Sequence, residues 1–496
     1  MKKVLFLSIL SIYICSACKR NLDLDPISSA TTTTFYNTTH DFLQGLSAVY
    51  NSLHNYPDRQ LNLSETRSDN LYAVTTGNRD WGGINAFQKT IANNPYVSDA
   101  WEDDFNGIYK ANSFLDELKK NGGVISDPAL ATRMEGEAKF LRAFYYFDLL
   151  KLYGKLPLVD HPVTATEALS IPRSPVNDIY GLIISDLTFS ANNLPEVYGD
   201  ADRGRVTKYA AKGILAEVHM TRSGPTYGIE GPGLGLNEWD LALPLLNDII
   251  GSMKYQFLPS YSSIFSYTNE DNPEVVFGVQ YISGQNPILG ASFPAVLTPD
   301  TYFRSLGAAD QNALSIRQVS NDLLNAYEVG DIRMSFSIQN GYNYNGAQET
   351  RSFFKKYLDI NKIPVVADDW SINFIALRYT DILMLKAECI LHGAPGTVGE
   401  VNDIINQVRH RAGLGDVSNV TLTQLLDERR KEFAGEGLRW PDLVRFGVVE
   451  SVMQSWITAE DVQHQINLFQ KNYIIYPVPQ AQLDIKPGFY EQNQGY

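Results

Sequence analysis

The sequence predicts a mostly α-helical protein whose helices come in pairs and support a face of long loops and small hairpins. Three features carry this expectation. Apolar residues recur at helical spacing in one segment after another. Stretches rich in Gly, Asn and Pro separate those segments. From about residue 255 to 370 the helical pattern gives way to short β-type runs.

The chain opens on Lys2 and Lys3, followed by an apolar run from Val4 to Ile14. That run is too short to span a bilayer, which takes about 20 residues, and has the form of a secretory leader. Ser16-Ala17 then meets Cys18, the pattern of a bacterial lipobox in which the cysteine thiol receives diacylglycerol. Residues 1–17 therefore read as leader and Cys18 as the lipid-bearing first residue of the mature chain. Cys15 is a poorer acceptor because bulky Ile14 precedes it. Cys15 and Cys18 formally match C-x-x-C, but only Cys389 follows, so neither a zinc site nor a redox pair is indicated. A plain cleaved leader, leaving a soluble periplasmic protein, is the alternative.

The helical segments follow in order. Phe42, Leu43, Leu46, Val49, Tyr50 and Leu53 mark a helix over 39–54, and a second runs over 98–120. In the third, Asp127 suits the cap and Pro128 the first turn, where a missing N–H costs nothing. Met134, Ala138, Leu141, Tyr145 and Leu149 form its apolar face and Gly154 closes it. Further helices are expected over 175–193, 207–222, 237–251, 373–392, 399–411 and 422–434. Residues 55–95 and 223–236 read as loop, and Glu274 to Tyr281 as a β-run. No strict 34-residue period is visible, so degenerate tetratricopeptide-like pairs and an irregular helical domain both fit the periodicity.

Composition excludes some functions. The formal net charge of −15 argues against nucleic acid, whose binding rests on Lys and Arg at phosphates. No G-x-S-x-G, P-loop, H-E-x-x-H or complete EF-hand loop is present, and the seven histidines show no metal-ligand spacing. No catalysis, cofactor or metal is expected. A glycosidase needs only two carboxylates at the right separation. The adjacent pairs Asp103-Asp104 and Asp368-Asp369 read instead as solvated surface charge.

Several segments together resemble the SusD/RagB family. The most characteristic runs Glu137-Ala138-Lys139-Phe140-Leu141-Arg142-Ala143-Phe144-Tyr145-Tyr146-Phe147, then Leu152-Tyr153-Gly154 and Leu156-Pro157-Leu158. Arg378-Tyr379-Thr380-Asp381 through Ala387-Glu388 is similar to a second family signature. Glu428-Arg429-Arg430-Lys431-Glu432-Phe433, with Gly437-Leu438-Arg439-Trp440-Pro441-Asp442-Leu443, resembles a third. The ends match as well: Cys18 followed by Leu22-Asp23-Leu24-Asp25-Pro26, and Tyr476-Pro477-Val478-Pro479 through Gly495-Tyr496. Lys486 before Pro487 and Gln494 depart from the family pattern in the tail.

The resemblance implies a SusD-like fold in one domain over 18–496. Its scaffold would be four tetratricopeptide-like pairs over about 36–254 and 371–446, with a loop and hairpin insert over about 255–370 and a tail over 447–496. It implies a cell-surface lipoprotein of the outer membrane that binds oligosaccharides and delivers them to a TonB-dependent, SusC-like transporter. A peptide-binding uptake subunit and a surface glycosidase are the alternatives. Arg430, Arg439, Glu428 and Glu432 are expected to form a structural ion-pair network.

Sugar recognition sets flat aromatic faces against pyranose C–H groups and uses Asp, Asn and Arg for the hydroxyls. Asp69, Asn70, Arg79 and Trp81 provide that mixture within a short loop after the first helix, where the resemblance also puts ligand residues. Tyr227, Tyr302 and Trp370 are further candidates in the other irregular segments. Packing of Trp81 onto the helices is the competing reading.

Overall fold

The computed structural model describes residues 35–74 and 79–496; the leader and Cys18 fall outside the described residues. Helix α1 (Thr39–Asn51) begins at Thr38, whose hydroxyl accepts from Asp41 N while the Asp41 carboxylate accepts from Thr38 N. This reciprocal cap satisfies two amides that the helix itself leaves unpaired. Helices α2 (Pro95–Asn121) and α3 (Pro128–Tyr153) are capped by Asn94 and Asp127, each with proline in the first turn. Gly154 ends α3 at φ +71, and a Cβ there would collide with the Glu230 carbonyl.

Helices α4 (Val176–Asn193), α5 (Lys208–Ser223) and α6 (Trp239–Gly251) follow. After the insert come α7 (Tyr379–Leu391), α8 (Val398–Arg411) and α9 (Leu422–Glu432). From α1 to α8, each helix packs on the next. The result is a row of four helical pairs, α1 to α7 over one apolar core and α8 against α7 in a second cluster, a mostly α, tetratricopeptide-like architecture. Helix α3 lies at its centre. Every residue from Phe140 to Leu150 is buried, which explains why its apolar face reads wider than a single stripe.

The strands form two-stranded antiparallel ribbons. β1 (Leu71–Tyr72) pairs with β5 (Gln318–Val319), and β2 (Leu156–Pro157) with β3 (Arg173–Ser174). β4 (Val275–Val279), the expected β-run, pairs with β8 (Phe374–Arg378). β6 (Ile338–Tyr344) and β7 (Ala347–Phe354) form a hairpin.

The elements differ from expectation in three places. The helix expected over 373–392 starts only at Tyr379, because the preceding residues are paired with β4. The segment 55–95 is not simply loop: it holds a helical turn at Tyr56–Arg59, a π-helix at Gln60–Glu65 and a short helix at Asp80–Asn85. Two helices without an expected counterpart, α10 (Arg439–Arg445) and α11 (Val449–Glu460), follow α9. Among the described residues no helix is long and apolar enough to cross a membrane.

Candidate functional site

The polar run from Gln60 to Asn70 is buried throughout. Charge can be buried only when it is paired and hydrogen-bonded, and here the partners come from the far end of the chain. Arg439 donates two bonds to Asp69, Nε to Oδ1 at 2.8 Å and Nη2 to Oδ2 at 2.7 Å. Arg430 donates to Asn70 Oδ1 at 2.8 Å and to the Asp69 carbonyl at 3.0 Å. Burial pushes the Asp69 carboxyl up, but Arg430 and Arg439 outweigh it and hold the group at about 2. Glu65 accepts from Asn70 Nδ2 at 2.8 Å and from the amides of Gly435 and Gly437 at 3.0 and 2.9 Å.

Asp69 and Asn70, as placed here, therefore face the interior. Trp81 does too: it is 2% exposed, with the Arg317 guanidinium 4.3 Å from its ring centroid. Trp370 is fully buried, and its backbone bridges to Ala291. Tyr227 is half-buried, and its hydroxyl donates to the Val444 carbonyl at 2.8 Å. Tyr302 packs edge-on against Tyr342 and Phe353. Of the seven side chains, Arg79 alone is exposed; it donates to Ser315 Oγ at 3.0 Å.

The expected ion network exists with other partners. Arg430 and Arg439 hold Asp69, while Glu432 accepts from Arg333, Arg378 and Arg411 at 3.2, 2.8 and 2.6 Å. Glu428 pairs with Arg333 and Arg409. The reading of Asp103-Asp104 as solvated charge is corrected at Asp104, which is buried and accepts from Arg59 Nη2 at 2.5 Å. Asp369 accepts from the Gly284 amide, and Asp368 from Asn312 Nδ2 at 2.7 Å. Among the described residues no group of three or more His, Cys, Asp or Glu is placed to hold a metal ion.

Several irregular segments are tied into one surface around Arg79. The Asp300 carboxylate accepts from the amides of Gln311, Ala313 and Leu314 at 2.9, 3.2 and 2.7 Å, which fixes the turn beside Ser315. Gln311 Nε2 donates to the Pro364 carbonyl at 3.1 Å. The hairpin β6–β7 adjoins this surface. Its Asn345-Gly346 turn has positive φ at both residues, +51 and +77, the form that matches strand twist in a two-residue loop. Tyr342 and Tyr344 project from the same strand face, being two residues apart. Tyr342 bonds Thr301, and Tyr344 lies near Arg304, which grips Asp310 through Nε at 2.6 Å. The sequence signal for these tyrosines was available: Tyr342-Asn343-Tyr344-Asn345-Gly346 alternates and then turns.

Two family models match the chain. One described as "SusD family" covers residues 335–496, and one described as "Starch-binding associating with outer membrane" covers residues 22–220. The chain belongs to the SusD/RagB family. A SusD-like protein of Formosa agariphila, P25, is 27% identical over 98% of each chain. Surface glycan-binding protein A of Bacteroides uniformis superposes with a TM-score of 0.79 at 24% identity, over 92% of this chain and all of that one. The Bacteroides thetaiotaomicron protein of that name, in complex with laminarihexaose, gives 0.77 at 22%, over 92% of this chain and all of that one. These likenesses establish a SusD-like fold. The two matched stretches hold the SusD/RagB scaffold from α1 to β1 and α5, and from β6 onward. Asp300, Arg304, Asp310 and Leu314 fall between them.

Proposed function

We propose that this protein captures an oligosaccharide on the surface around Arg79 and Tyr344 and passes it to a TonB-dependent outer-membrane transporter. The observation that carries the reading is the combination at that surface. Tyr344 offers a partly exposed ring from a hairpin, and Arg79, Arg304, Asp310 and Asp368 offer polar groups at its edge. A pyranose needs both: an apolar face for its C–H side and donors and acceptors for its hydroxyls. Support also comes from the family and from the superposable Bacteroides thetaiotaomicron protein in complex with laminarihexaose. Lipid on Cys18 would hold the protein at the outer leaflet, facing the exterior, and no catalytic step is assigned to it.

The test uses the mature chain with Cys18→Ser, run by affinity electrophoresis against soluble β-glucans, starch and other polysaccharides, beside Arg79→Ala and Tyr344→Ala variants. Retardation by one glycan, weakened at least tenfold in Tyr344→Ala with an unchanged melting temperature, is the expected result. Trp81→Ala is unsuitable as the binding variant because it removes a buried ring. Retardation that survives both substitutions would move the site elsewhere.

A peptide ligand is the second reading, favoured by aliphatic side chains on the same segments: Leu306, Leu314, Val365 and Val366 are all exposed. Failure to bind any glycan, with binding of an unstructured peptide pool that competes at Arg79, would select it. Release of reducing ends from a bound glycan would select the glycosidase instead.

A further inference from the structure

A trough runs along one face of α2, and none of the side chains around Arg79 lines it. Its first half, about 390 Å³, lies between α2, the 157–171 loop and the 482–490 segment. Tyr109, 55% exposed, stands on its wall with Phe105, Phe489 and Tyr490. Its second half, about 510 Å³, continues along α2 and is lined by polar groups, Lys119, Thr132 and Glu135 among them. Asn112 and His161 line both halves and form the saddle between them. From Trp101 to Lys119 the trough follows about 27 Å of helix.

Hydrogen bonds fix its walls. Asn112 Nδ2 donates to the Val159 carbonyl at 3.0 Å, and Arg142 Nη1 donates to Asn112 Oδ1 at 2.8 Å and to the Asp160 carbonyl at 2.9 Å. On the far wall Lys486 Nζ donates to the Leu169 carbonyl at 2.8 Å and Tyr490 Oη to the Ile171 carbonyl at 3.0 Å. A preformed concavity that combines ring faces with a few polar groups is the usual form of a ligand site.

We propose that the trough is a second oligosaccharide-binding cleft, for an uncharged glycan chain. Two observations choose this occupant. The first is charge. The protein carries a formal net charge of −15, yet four acidic and four basic side chains line the trough. Several are already paired: Lys139 with Glu135 at 2.7 Å, Asp116 with Lys120 at 2.5 Å and Arg142 with Asp186 at 2.8 Å. A charged ligand finds no complementary field there, whereas a neutral one needs none. The second is free polar chemistry. Glu102 and Asn106 are exposed beside the rings, and among the described residues neither side chain has a hydrogen-bond partner. Ring faces suit the C–H side of a pyranose, and a free carboxylate and amide suit its hydroxyls. An acyl chain or an aliphatic side chain would cover those two polar groups and leave them unpaired.

The inference rests on the reading that this chain binds glycans, and adds a second site to it. Capture is then bivalent: a polysaccharide held at both sites dissociates more slowly than a hexasaccharide, which occupies each alone.

Hydroxyl-radical footprinting and calorimetric stoichiometry test it on the mature chain with Cys18→Ser. The probes are laminari-, malto-, cello-, xylo- and mannohexaose, each in turn. One hexasaccharide is expected to bind at two sites and to lower oxidation of both Tyr109 and Tyr344 about threefold. Tyr109→Ala is expected to reduce the stoichiometry to one and leave Tyr344 protected, with the melting temperature unchanged. Tyr344→Ala is expected to leave Tyr109 protected. A hexasaccharide that binds once and protects Tyr344 alone would overturn the second site and leave the proposed function standing. Protection of Tyr109 alone would keep the trough as a glycan cleft and overturn the surface around Arg79. Binding of no hexasaccharide would overturn both, and protection of Tyr109 by an unstructured peptide pool instead would make the trough a peptide groove.

Discussion

The Asp69 carboxylate sits between two buried guanidinium groups, and neutralising it leaves Arg439 without its anion and Arg430 with Asp322 alone. Removing one partner of a buried pair costs about 3–5 kcal/mol, because the remaining charge stays desolvated. Asp69→Asn is therefore expected to lower unfolding stability by about 3 kcal/mol, read as a fall in the urea midpoint, while ligand affinity per folded molecule is retained. Full stability with lost affinity would return Asp69 to a ligand site. The reason sequence reading put Asp69, Asn70 and Trp81 at a sugar surface is physical. A polar run with no apolar period has the same local pattern whether water or protein surrounds it. What separates the two cases is Arg430 and Arg439, some 360 residues away in sequence, and no local pattern carries that distance. Arg79 differs in being exposed: its guanidinium lies 5.8 Å from the Trp81 ring centroid and donates to Ser315.

At the scale of elements, the β6–β7 hairpin is buried at its base, where Ile338, Phe353 and Phe354 pack, and exposed at its turn. Its turn depends on Gly346 at φ +77, where a β-branched side chain costs about 1–2 kcal/mol. Gly346→Val is expected to speed amide exchange across residues 340–352 about tenfold and to weaken ligand binding through Tyr344, with the global melting temperature nearly unchanged. Unaltered exchange would mean that contacts of Tyr342 and Phe353, not the turn, fix the hairpin. The long helices were legible because each has to bury one face against its neighbour, which imprints the 3.6-residue period. The π-helix at Gln60–Glu65 left no such imprint, since only Leu61 and Leu63 enter the apolar core while Gln60, Ser64 and Glu65 are held by hydrogen bonds. Helix α11 did leave one: Val449, Met453, Trp456 and Ile457 are its buried residues, at helical spacing. β8 failed for another reason, because a strand that leads directly into α7 shares its apolar composition.

Taken as a whole, the molecule buries many carboxyl groups, and they fall into two sets with opposite pH consequences. In one set burial dominates: Asp58 is pushed up to about 6, and Asp104, Asp186, Asp381 and Glu388 are also raised. A carboxyl whose folded value lies above its unfolded value, near 4, stabilises the fold fully below about pH 4, and that contribution is lost as pH rises through the folded value. For Asp58 the loss by pH 7 is about 3 kcal/mol. In the other set, burial is outweighed by arginine: Asp69 is held at about 2, and Glu432, Glu436 and Asp442 are lowered. Their contribution is complete above about pH 4 and is lost as pH falls toward 2. Net acidic charge adds a third effect, since self-repulsion eases as pH approaches the pI of about 5.0. Their sum places the stability maximum near pH 5. Thermal midpoints measured from pH 3 to 8 are expected to rise as pH falls from 8 to about 5 and to drop steeply below 4. Asp58→Asn removes the titrating group while keeping an acceptor for the Ser292 hydroxyl, which donates to Asp58 at 2.6 Å. It is expected to raise the midpoint at pH 7 and leave it unchanged at pH 4. A midpoint that climbs steadily to pH 8 would show that the arginine-paired set governs the whole range, and an unchanged profile in Asp58→Asn would remove that carboxyl from the account.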